Sequence, residues 1–189
     1  MIMKRYSRQG LWLLFLICAF PLHAWTIILA FRDFSWVTER TNSWDAIGVM
    51  SYGLIFAFIE SLAFFLVVVL LGFFVSDCWK EKLRIALMGN MALVVSLWAM
   101  ATQLFYLLQV SIPGQVVDFL VRMGHPLRFL YAITLAVVGL TIAFPTYMTM
   151  QSDKYLKAVN GFFERLSTLT LFYLFFDFLG LIIVIVRNV

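Results

Sequence analysis

The chain has 189 residues, 63% of them hydrophobic and 13% charged, with a mean hydropathy of +0.97. A soluble domain is about 45–50% apolar and about 25% charged, so this inventory cannot cover a water-facing surface. The formal charge of +4 then reads as Lys and Arg flanking membrane segments rather than as a nucleic-acid surface, and the length allows one compact bundle without a further soluble domain.

Five stretches carry the roughly 20 apolar residues that a spanning helix needs. The first covers residues 10–31. Its basic start (Lys4, Arg5, Arg8) and apolar run resemble a secretory leader with Ala24 at the cleavage position. Leu22 stands where a small residue is wanted and the apolar run continues to Phe31, so a retained helix is expected. The polar stretch 32–45 reads as an outer loop. The second span is 46–75, long enough to tilt. Ser76-Asp77 and the basic residues Lys80, Lys82 and Arg84 separate it from the third, 85–112, which Pro113-Gly114 is expected to stop. The fourth span is 127–150 and contains Pro145, which removes a backbone donor and predicts a kink. The fifth is 168–186. Residues 116–123 and 154–166 mix apolar and charged side chains. Each reads equally as a short amphipathic helix in the interface or as a loop with apolar anchors. The expected fold is therefore an all-α polytopic bundle of five transmembrane helices forming a single domain.

Lys and Arg set the orientation. With the N-terminus inside, the inner segments hold Lys4, Arg5, Arg8, Lys80, Lys82, Arg84, Lys154, Lys157 and Arg165. That is nine of the 14 basic residues and every lysine. The outer side holds Arg32, Arg40, Arg122, Arg128 and Arg187, so N-in and C-out is expected. Trp36, Trp44 and Trp79 fall near the interfaces, as an aromatic belt does.

Helices in lipid recognise one another through small residues and hydrogen bonds. Each span offers a stripe at helical spacing: Ala19, His23, Thr26 and Ala30; Gly53, Ala57 and Glu60 beside Ser61; Gly89, Ala92, Ser96, Ala99 and Gln103; Ala132, Ala136, Gly139 and Ala143; Thr170, Tyr173, Asp177 and Gly180. All are expected to face inward. Counted at 1.5 Å per residue, His23, Glu60, Gln103 and Asp177 fall near one depth and are expected to form one polar layer. A carboxylate at the helix centre costs about 2.5–3.5 kcal/mol on insertion scales. Such a layer is either a proton or ion relay or a hydrogen-bond network fixing helix register, and register is the more economical reading.

Most other chemistry lacks residues to carry it. His23 and His125 are the only histidines, too few for a bis-histidine haem, and His23, Glu60 and Asp177 lack metal-ligand spacing. Neither GxSxG nor a P-loop occurs. Cys18 and Cys78 form no CxxC, and each reads as an unpaired thiol. No cofactor and no metal are expected. Arg32, Asp33, Trp36, Arg40 and Trp44 form an outer cluster able to meet an anionic head group or a partner domain, or simply a solvated loop. Trp79 to Arg84 reads as a topology signal with weak anionic-lipid contact.

The expected function is a non-catalytic scaffold, anchor or accessory subunit of a membrane complex. Its expected partners are the lipid bilayer and either another protein or further copies of itself, with no nucleic acid. The alternative is a small proton- or ion-coupled transporter or channel component using Glu60 and Asp177. The compact chain suits a bacterial cytoplasmic membrane. Five helices with this topology are similar to the membrane portion of lipoteichoic-acid-synthase-type enzymes, which carry a large outer catalytic domain after the fifth helix. The similarity covers topology alone. With the chain ending at Val189, it implies a detached membrane module working with a separate outer protein.

Overall fold

The structure is a computed structural model that describes residues 6–75 and 79–189. Lys4, Arg5, the Ser76-Asp77 break and Cys78 lie outside the described residues. Among the described residues there are six helices and no strand: α1 Arg8–Arg40, α2 Ser43–Gly72, α3 Glu81–Leu107, α4 Gly114–Arg122, α5 Pro126–Gln151 and α6 Asp153–Asn188. Five of them, all but α4, are long and apolar enough to cross a membrane.

The spans match the expected ones in number and order, and three boundaries differ for local reasons. The expected outer loop at 32–45 is mostly helix. Nothing in residues 32–40 breaks a helix, so α1 runs on to Arg40. Only Thr41 and Asn42 turn the chain, and Asn42 caps α2 by accepting from the Asp45 backbone N–H at 2.9 Å. The third helix ends at Leu107, well before Pro113. Gln109 adopts φ +50, and the Gln109 and Val110 N–H groups donate back to the Tyr106 and Phe105 carbonyls. This is a Schellman stop built on glutamine. Residues 154–166 form no separate element. They are the first turns of α6, which continues without a break into the fifth span. Residues 116–123 do form a helix, α4, ending at Arg122. A single residue, Ser152, joins α5 to α6 and caps α6 by accepting from the Tyr155 N–H.

Helix α1 is the hub, in contact with α2, α3 and α6, while α5 lies outside against α3 and α6. The tightest packing is toward the N-terminal end of α1. There Leu14, Cys18, Val68, Val69, Leu87, Met88 and Ala92 form one cluster, and Ile17, Ala86, Val159 and Phe163 form another. Two helix crossings are close enough that a larger residue would press on its neighbour. A Cβ on Gly89 would lie 2.5 Å from the Phe163 ring, and one on Gly180 would lie 3.3 Å from the Ser51 carbonyl oxygen.

Both ends of the bundle are tied. At the end that holds the N-terminus of α1 the Ser7 N–H donates to the Glu81 carboxylate at 2.6 Å, and Arg84 lies over the Tyr6 ring. At the opposite end Arg187 donates to Asp45 at 2.7 Å and to the Trp44 carbonyl, and Asn188 donates to the Tyr52 hydroxyl at 2.7 Å. The end of α6 is thus held on the start of α2.

The fourth stripe faces the wrong way for the expectation. Ala132, Ala136, Gly139 and Ala143 are all exposed, and a Cβ on Gly139 would meet nothing within 4 Å. Helix α5 docks instead through Ile142, Pro145 and Thr149, of which only Thr149 is fully buried. At about 100° per residue, that docking face lies roughly a third of a turn from the small-residue stripe. The bonds Asn90 to Thr149 (3.1 Å) and Trp98 to Thr141 (3.0 Å) select the face, because polar pairing outweighs the lesser gain of packing alanines. The α3 stripe divides: Gly89 and Ala92 are buried, whereas Ala99 and Gln103 are exposed.

Candidate functional site

The four polar residues expected in one layer occupy two separate places. His23 and Asp177 meet between α1 and α6. Glu60 and Gln103 line a groove formed by α1, α2 and α3. Periodicity on α1 explains the division. His23 and Trp25 are two residues apart, about 200° around the helix, so each serves a different side of it.

His23 is fully buried and Asp177 is 8% exposed. The His23 ring is fixed at both nitrogens. Nδ1 lies 2.8 Å from the Ala19 carbonyl oxygen and Nε2 lies 2.8 Å from Asp177 Oδ2. A carbonyl only accepts, so Nδ1 carries a hydrogen. Nε2 and Oδ2 at this separation require a proton between them, either as an imidazolium facing a carboxylate or as a neutral ring accepting from a carboxylic acid. The pair has the same net charge in both forms. Tyr173 stacks on His23 at 6.3 Å between centroids and 13° between planes, and Phe20 stacks on Tyr173 at 6.0 Å. About two turns away from the pair, the buried Thr170 hydroxyl shares its hydrogen between the Leu16 and Leu166 carbonyls, which ties α6 to α1 again. Asp177 Oδ1 is buried with no hydrogen-bond partner. The Asp177 side chain borders a cavity of about 380 Å³ between α2 and α6, beside Ile55, Phe58 and Leu174.

The second place is open. Glu60 is exposed near the middle of α2 and makes no hydrogen bond or ion pair among the described residues. It lines a groove of about 300 Å³ with Trp25, Thr26, Ser96 and Gln103, walled by apolar side chains that include Phe64 and Met100. The Trp25 indole N–H donates to Gln103 Oε1. Because an indole N–H only donates, the facing Gln103 atom is the oxygen. The Gln103 amide N–H₂ is then left for another acceptor. Trp25 carries its own sequence signal, a tryptophan far from either end of a long helix, since this residue favours the interfaces.

The outer cluster is occupied with itself. Arg32 pairs with Asp33 at 2.7 Å, Arg40 lies 3.8 Å over the Trp36 ring, and Trp44 and Asp45 hold Arg187. Among the described residues no group of three His, Cys, Asp or Glu side chains is placed to hold a metal ion. Cys18 is a buried free thiol. Pro145 lies within α5, which runs through it.

The chain matches no protein-family model, no curated protein and no solved structure.

Proposed function

We propose that this chain is a non-catalytic integral membrane subunit, a scaffold or accessory component that works by packing against another membrane chain. The observation that carries this reading is α5. Its small-residue stripe faces away from its own bundle, and no residue in its most apolar window is buried. Lipid gains little from a surface of alanine and glycine, whereas such a surface lets a second helix approach closely. The buried polar groups fit the same role. His23–Asp177, Thr170 and Asn90–Thr149 each tie one helix to another. We take the setting to be the cytoplasmic membrane of a bacterium, with the N-terminus inside, on the asymmetry of Lys and Arg. A separate outer enzyme remains one form that the partner takes.

The test uses the full chain extracted in native-lipid particles. A second chain, or a second copy of this one, is expected to accompany it. Ala136→Leu with Gly139→Leu is expected to release that chain while leaving the melting temperature unchanged, because nothing of its own lies within 4 Å of the Gly139 position. A lone wild-type monomer would sink the proposal.

The proton shared by His23 and Asp177 supports a second reading, a proton-coupled transporter component. Glu60 takes no direct part in it, since the groove holding Glu60 is not the cavity that Asp177 borders. Proton flux into proteoliposomes that is lost in Asp177→Asn would favour this reading over the first.

A further inference from the structure

We infer that the groove between α1, α2 and α3 is a binding site for a lipophilic amine, an amphiphile whose ammonium group meets Glu60 and whose apolar part enters sideways from the bilayer. The inference is independent of what α5 packs against.

Three features specify this ligand. The first is charge. A carboxylate at membrane depth is costly unless it faces a cation, and none of the described cationic side chains pairs with Glu60. Of the two acids near the middle of a spanning helix, Asp177 has His23, whereas Glu60 has no cation among the described residues and is left for an external one. The second is the hydrogen-bond inventory. With Oε1 taken by Trp25, Gln103 presents its amide N–H₂, and the Ser96 and Thr26 hydroxyls in the same groove have no hydrogen bonds of their own. The carboxylate accepts from an ammonium, the Gln103 amide donates, and the two hydroxyls do either, which suits an amine that also carries a hydroxyl, ether or carbonyl oxygen. The third is access. The pocket of about 300 Å³ lies on α1 between α2 and α3, and its remaining walls are apolar. That is the usual make-up of a small-molecule site, mostly apolar with a few convergent polar groups. Glu60 is exposed within it, so no helix must move to admit a ligand.

The full chain in phosphatidylcholine nanodiscs is titrated with 12-bromododecylamine, with quenching of tryptophan emission as the readout. Empty discs and the chain-matched bromo-alcohol and bromo-carboxylate serve as references. Saturable quenching is expected for the amine, with affinity at least about tenfold above that for the alcohol, as a charge-assisted hydrogen bond predicts. Glu60→Gln should remove the preference and Glu60→Asp should keep most of it, with helicity and monodispersity unchanged in both. Equal binding of amine, alcohol and carboxylate overturns the site, as does an unaltered preference in Glu60→Gln. A third result also overturns it: a co-purifying chain released by Glu60→Gln, with no amine preference once that chain is removed. The cation at Glu60 is then a Lys or Arg of a partner helix.

Discussion

Glu60 and Asp177 are both acids in the middle of spanning helices, and their surroundings are opposite. Asp177 faces inward on α6, bonded to a histidine whose other nitrogen is also held. Glu60 faces a groove between α1, α2 and α3 that is open at the surface and has no partner among the described residues. The difference teaches that an intramembrane carboxyl identified in a sequence is a question about its neighbours. Where the neighbour lies in the same chain, the acid ties one helix to another; where none lies among the described residues, the carboxylate is left unpaired in a groove.

The comparison predicts unequal costs. His23→Leu leaves Asp177 buried and unpaired, and should destabilise the chain most, by about 3 kcal/mol in denaturant titration in detergent, the lower end for breaking a buried pair. His23→Leu with Asp177→Leu should recover most of that loss. A double variant no better than the single one would mean that packing, rather than the charge left behind, sets the cost. Gly180→Val comes next, at about 2 kcal/mol, because its side chain meets the Ser51 backbone, which cannot swing aside. Arg187→Ala should cost about 0.5–1 kcal/mol, as a part-exposed pair does. Glu60→Gln should cost least, within about 0.5 kcal/mol of the wild type. If it destabilised as much as His23→Leu, the contrast between the two acids would collapse.

Much of the fold could be read in advance because hydropathy is a sum over about 20 residues, and five such sums were unambiguous. Boundaries were harder. Residues 32–40 carry charge, which lipid disfavours but helices tolerate, so polarity marked the end of the membrane segment rather than the end of α1. The stop at Gln109 uses a backbone conformation that glutamine rarely adopts, and no residue pattern announces it. For the site, depth was legible from position along each helix, whereas azimuth was not. Residues 23, 60, 103 and 177 all lie near one level, yet which side of α1 each meets depends on how α2, α3 and α6 are arranged around it. The stripe on α5 failed for the same reason. Small residues mark a face fit for close approach without saying which chain approaches.

The bond between His23 and Asp177 joins residues 154 apart in the chain. At a synthesis rate of about 5–20 residues per second, roughly 8–30 s pass between the appearance of one partner and of the other. Through that interval the His23 Nε2 has no Asp177 to meet, while its Nδ1 is already served by the Ala19 carbonyl of its own helix. A chain cut short before α6 lacks both the Asp177 carboxylate and the Tyr173 ring that meet His23 in the finished bundle.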